Sequence, residues 1–125
     1  MHANRYLEQQ VATASPAMLT AMLFDAIVAN SLRAVDCLVA DDQVMARKSL
    51  IRAQEIVLEL RSTLNHEAGG EIARNLDRLY DFSYRKLLEG SIHGDQAAVL
   101  AAVDVIAPLR DSWRTACVES AVSVP

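Results

Sequence analysis

Residues 17–39 constrain the fold more than any other part of the chain. Seventeen of these 23 residues are Ala, Met, Leu, Phe, Ile, Val or Cys. At roughly 100° per residue on a helix, Met18, Leu23, Phe24, Ile27, Val28, Leu32, Val35 and Leu38 point in every direction. A helix that is apolar all round is buried in a core or crosses a membrane. Asp25, Arg33 and Asp36 interrupt the run, and each charge is costly near a bilayer centre, so no membrane span is expected. The stretch reads as a central helix with neighbours on several sides. Ser15 can cap its free N–H groups, and Pro16 suits the first helical position, where no N–H is required.

A chain of 125 residues is one domain by size and can bury a real core. Only 4 Gly and 3 Pro punctuate it, and Ala, Leu and Val outweigh the few aromatics, which favours helices over sheet. The net charge is −4, and the basic residues are scattered. Nucleic acid is therefore not an expected partner, because phosphate binding needs clustered Lys and Arg. The densest basic groups, Arg47-Lys48-Arg52 and Arg85-Lys86, read as solvated helix faces. Cys37 and Cys117 stand in apolar helical surroundings without a C-x-x-C pair, as structural thiols do in a reducing compartment. The opening residues lack the apolar core of an export signal, so the expected location is cytoplasmic.

Read in order, residues 1–15 form an N-terminal arm without a strong period. Residues 16–119 form the helical domain, and residues 120–125 a flexible tail. After the first helix, Asp41 or Asp42 can cap a second over about residues 43–64. There Leu50, Ala53, Val57, Leu60 and Leu64 make the seam of an antiparallel bundle helix, with Met45, Ile51, Ile56 and Leu58 off the seam. The run Asn65–Gly70 is the clearest break, since glycine supplies the positive φ of a tight turn. A third helix is expected over about residues 71–89, ending at Gly90 as its C-terminal glycine. Its apolar positions cover roughly 240°, against the stripe of little more than 100° usual for a surface helix. Gly94-Asp95 opens a fourth helix, about residues 96–119, in which Pro108 should cause a kink near residues 104–108. Long helices and short loops give an all-α fold: an antiparallel, up-down-up-down four-helix bundle with a short N-terminal arm.

The chain contains no Walker loop, G-x-G-x-x-G, G-x-S-x-G, H-E-x-x-H or paired Glu-x-x-His motif. No cofactor or metal is expected. His66, Glu67 and Glu71 read as solvated loop residues. Asp25 and Arg33 on an otherwise apolar helix are the sole support for a charge-pocket enzyme of the mutase-like kind, and a satisfied charge within the bundle explains them more simply.

Several short stretches recur together as a set. Thr13-Ala14-Ser15-Pro16 leads into Met22-Leu23-Phe24-Asp25. Leu64-Asn65 precedes Gly69-Gly70-Glu71-Ile72-Ala73, then Asn75-Leu76 and Leu79-Tyr80-Asp81. Leu109-Arg110-Asp111-Ser112-Trp113-Arg114 follows near the end. In this order and spacing the chain resembles the flagellin export chaperones, the FliS family, over nearly its whole length. The resemblance implies an antiparallel helical bundle that is not an enzyme. It implies a cytoplasmic chaperone that holds the disordered C-terminal segment of flagellin, prevents premature polymerisation and assists export, with the flagellar export apparatus as a further partner. It also implies that the chaperone's own N-terminal arm can fill part of the client groove, a role assigned here to Tyr6 and Leu7. The chain departs from the family pattern at Phe24, where a tyrosine is usual, at Ala26, where glycine is usual, and at Pro108.

The residues themselves point the same way. The second and third helices carry more apolar side chains than one packing stripe uses, and soluble monomers seldom leave large apolar patches uncovered without a partner. Amphipathic helices laid into an apolar groove are a standard mode of recognition. Ile51, Ile56, Ile72, Leu76, Leu79 and Tyr80 are the expected client-groove residues. A homodimer built on the same spare faces is the alternative.

Overall fold

The computed structural model describes residues 15–123. Four helices follow one another: α1 (Pro16–Val39), α2 (Gln43–Ser62), α3 (His66–His93) and α4 (Gln96–Ser123). Each packs on the next, and α4 returns to pack on α1. The helices therefore stand at the corners of a square, with α1 diagonal to α3. Side-chain pairs fix the direction. Arg61 of α2 meets Asp77 of α3, while Arg47, earlier in α2, reaches the Ser91 carbonyl later in α3. The expected all-α, up-down-up-down bundle is the one observed. Among the described residues no helix is long and apolar enough to cross a membrane.

The boundaries follow from local chemistry. Ser15 accepts a hydrogen bond from the Met18 N–H, with Pro16 in the first turn. Asp42 rather than Asp41 caps α2 and accepts from Met45; Asp41 takes a positive φ of 58° in the turn. Asn65 caps α3 and Asp95 caps α4 by the same device. These side-chain oxygens satisfy N–H groups that a helix start leaves without partners.

Five expectations need correction. First, α1 is a corner and not a centre. It buries one face, through Ala21, Phe24, Ile27, Val28, Ser31 and Ala34, and leaves Met18, Leu32 and Val39 exposed. Second, α2 packs on two neighbours, so its buried face is wider than one seam and takes in Ile56, which is only 1% exposed. Third, α3 begins at His66, one turn before the glycine pair. Gly70, at φ 51° and ψ −122°, is a break inside it. Fourth, Gly90 does not end α3. It lies buried within the helix, where an added Cβ would sit 2.3 Å from Val99 Cγ2 of α4. The left-handed C-terminal glycine is Gly94, whose N–H donates to the Gly90 carbonyl. Fifth, α4 stays helical through Pro108 and on to Ser123. Asp104 and Pro108 are both exposed, so the carbonyl that Pro108 deprives of its donor faces water.

The core joins all four helices through Phe24, Ile27, Leu50, Val57, Leu87, Val99 and Ile106. Ser31 and Ser83 are buried within it. Each hydroxyl donates to the carbonyl four residues back, Ile27 and Leu79 respectively, so neither is left unpaired.

Candidate functional site

In an up-down-up-down bundle the start of α1, the end of α2, the start of α3 and the end of α4 meet at one end. There the helices leave an apolar groove of about 250 Å³. α1 contributes Thr20. Leu60, Thr63 and Leu64 come from the end of α2 and the turn after it. Asn65, Gly69, Ile72, Ala73, Leu76 and Tyr80 come from the turn and α3, and Trp113 from α4. A further hollow of about 390 Å³ at the same end is bordered by Leu19, Met22 and Leu23 of α1 and Glu59 of α2.

Three aromatic rings explain why this end stays open. Phe24 lies beneath, fully buried. Trp113 meets it edge-to-face with ring centroids 5.5 Å apart, and Tyr80 lies 6.2 Å away at a tilt of 38°. Such pairs prefer offset or edge-on contact, which holds the helices apart where small residues would let them close. Tyr80 is only 2% exposed, so it forms the floor rather than the rim, and burial pushes its hydroxyl pKa up to about 12. The Gly70 break lets the turn 65–69 fold over one end of the groove. Its dihedrals belong to the region that only glycine enters without strain.

Two ion-pair clusters bind the walls. Between α2 and α3, the Arg61 guanidinium donates from Nε to Asp77 Oδ1 at 2.7 Å, from Nη2 to Asp77 Oδ2 at 3.3 Å and from Nη1 to Asp81 Oδ1 at 3.3 Å. Arg85 pairs with the other oxygen of Asp81 at 3.0 Å. The Arg61 hydrogen bond holds the Asp77 carboxyl below the usual carboxylate range, with the nearby charge of His66 adding to the effect. Between α1 and α4, Asp25 Oδ1 accepts from Arg110 Nη1 at 3.5 Å and pairs with Arg114 Nη2 at 3.1 Å.

Ile72, Leu76 and Tyr80 come together in the groove, as lip, wall and floor. Ile72 is 72% exposed, an extreme value for isoleucine. Leu79 is exposed on the outer surface of α3, and Ile51 on that of α2. Ile56 is in the core and offers a partner no surface. Tyr6 and Leu7 lie outside the described residues. Sequence reasoning missed Trp113, Thr20, Leu60 and Leu64 as groove residues. The expected topology carried the signal for them, because it brings those helix ends to one place. Asp25 and Arg33 do not converge. Asp25 is paired with α4, while Arg33 is exposed, which removes the observation behind a charge-pocket enzyme. Among the described residues no three His, Cys, Asp or Glu side chains are placed to hold a metal ion.

These features define a class: an antiparallel four-helix bundle with an aromatic-floored apolar groove at one end. The profile of the family described as "Flagellar protein FliS" matches residues 1–120. The chain belongs to the FliS family. It is 33% identical over 114 residues to the flagellar secretion chaperone FliS of Salmonella typhimurium, covering 90% of this chain and 84% of that one. It is 31% identical over 111 residues to its Bacillus subtilis counterpart, covering 89% and 82%. A crystal structure of a flagellar chaperone from bacteria superposes with a TM-score of 0.77 at 19% identity, covering 94% of this chain and 96% of that one. That likeness concerns the fold.

Proposed function

We propose that this chain is a flagellar secretion chaperone acting in the cytoplasm, and that its client is the disordered C-terminal segment of flagellin. The observation that carries this reading is the groove itself, an aromatic floor with an isoleucine lip exposed to solvent. Such a surface suits the apolar side of a helix or an extended segment. Ile72 and Leu76 are the contacts assigned to the client, over the floor that Tyr80 forms beneath them, with Leu79 and Ile51 extending them over the outer faces of α3 and α2. Ordering a disordered segment costs about 2–5 kcal/mol. At about 25 cal/mol per Å², burying some 80–200 Å² of apolar surface offsets it. A client held this way cannot polymerise and can be handed to the export apparatus; no catalytic step is involved.

Titration calorimetry with a peptide of the C-terminal segment of flagellin tests the reading. A one-to-one complex with a negative heat-capacity change is expected, since apolar burial leaves that mark. Absence of binding at tens of micromolar peptide would reject it. Light scattering on the free protein separates it from a homodimer, which would bury the same faces without any client.

A further inference from the structure

We propose that Asp25 is a positioning residue for the groove: it holds Arg110 and Arg114 of α4 against α1 and thereby sets where Trp113 stands as the groove wall. The proposal rests on the reading of the groove as the client site. Phe24 and Asp25 are consecutive, and both meet the end of α4. Phe24 meets Trp113 in an edge-to-face pair. A single oxygen of Asp25 receives both arginines, which lie one helical turn apart and bracket Trp113.

The ring contact alone does not fix the part of α4 around Trp113, since the fully buried core residues Val99, Ala102 and Ile106 all lie before it. Offset and edge-on arrangements over a range of centroid distances are all favourable for such a pair, so the contact by itself admits more than one geometry. Among the described residues, Trp113 makes no side-chain hydrogen bond of its own, and no other side-chain hydrogen bond or ion pair joins α1 to α4. The two bonds to Asp25 therefore supply the directional restraint that the apolar contact lacks. Arg110 is well placed to transmit it: its side chain is only 21% exposed, and its Nε also donates to Asp111 at 3.1 Å. Asp25 itself is half exposed, so the cluster contributes little to global stability. Its effect falls on geometry.

The chain has one tryptophan, so the wall reports its own position. Asp25→Asn keeps the shape and removes the charge. In the free protein its Trp113 emission maximum and near-ultraviolet dichroism should shift. Its Kd for the flagellin C-terminal peptide should rise about twofold to thirtyfold, the range for residues that couple to a site without touching its ligand. Asp25→Glu should restore both signals, and Arg114→Gln should reproduce the loss in part. Melting temperatures should move by less than about 4 °C. Unchanged emission and Kd in Asp25→Asn would overturn the proposal. So would weaker binding with unchanged emission, which would make Asp25 a direct client contact, or a large fall in melting temperature, which would make it a structural ion pair. If the wild-type chain fails to bind the peptide, the functional reading falls first. If the wild type binds and the variant matches it in every signal, this inference alone falls.

Discussion

Where α3 passes into α4, the bundle closes on small residues. Gly90 lies against Val99, Ala46 and Ala98 are buried nearby, and the hollow left beside Leu38 and Arg47 is about 90 Å³. At the other end the same four helices carry Phe24, Tyr80 and Trp113, and a groove of about 250 Å³ stays open. Topology and helix count are common to both ends, so the difference lies in side-chain size. Where a glycine removes the Cβ, the helices approach until the core is sealed. Where large rings meet edge-on, they prop the helices apart and leave an open apolar groove. The sealed end leaves little surface over, and the propped end leaves the groove that the proposed function gives to the client.

The largest expected effect tests the propped end. Tyr80→Ala removes the groove floor and leaves a cavity joined to the core; urea unfolding should show a loss of about 3–5 kcal/mol. A loss below about 1 kcal/mol would mean that the floor does not support the bundle. Gly90→Ala tests the sealed end. The new methyl must push Val99 and α4 outwards, at a cost of about 1–3 kcal/mol. Adding Val99→Ala should recover part of that loss, and failure to recover any would show that the close approach is not the cause.

Gly70→Ala is sharper still, because nothing lies within 4 Å of the added Cβ. Any loss therefore reports backbone strain alone, expected at about 1–2 kcal/mol. No change would mean that the turn relaxes freely. A further effect is in pH. Tyr80 is held neutral in the folded state up to about 12, against about 10 for an ordinary tyrosine. The unfolded chain then loses its proton first, so stability is full below about pH 10 and declines as pH rises towards 12. A spectrophotometric titration should show one late tyrosine, absent in Tyr80→Phe. If Tyr80→Phe leaves the titration curve unchanged, the buried floor is misplaced.

The propped and sealed ends differ in how readable they were. The starts of α1, α2 and α4 were legible because Ser15-Pro16, the Asp41-Asp42 pair and Asp95 carry capping chemistry in the chain itself, whereas the glycine pair hid Asn65 as the cap of α3. The bundle order followed from them. Gly90 was misread because a glycine beside an expected helix end looks like a stop, and only the neighbouring helix shows that its missing side chain makes room for Val99. Pro108 does not interrupt α4, since its helix face is exposed and the freed carbonyl meets water. Ile56 fell off a one-stripe seam that a corner helix with two neighbours does not obey. Within the groove, Ile72, Leu76 and Tyr80 could be picked out as surplus apolar positions on one helix. Trp113 lies 33 residues beyond Tyr80, on another helix, and its part in the groove follows only from the way α4 folds back beside α1.

The central claim is that the propped end is a client site. The most direct measurement is a calorimetric titration of a flagellin C-terminal peptide into the wild-type chain and into Ile72→Asp. Ile72 is exposed enough that its replacement should change stability by no more than about 0.5 kcal/mol. A complex of micromolar Kd or tighter is expected for the wild type, and binding at least about tenfold weaker for the folded variant. Equal affinity for both proteins, or no complex with either, would contradict it.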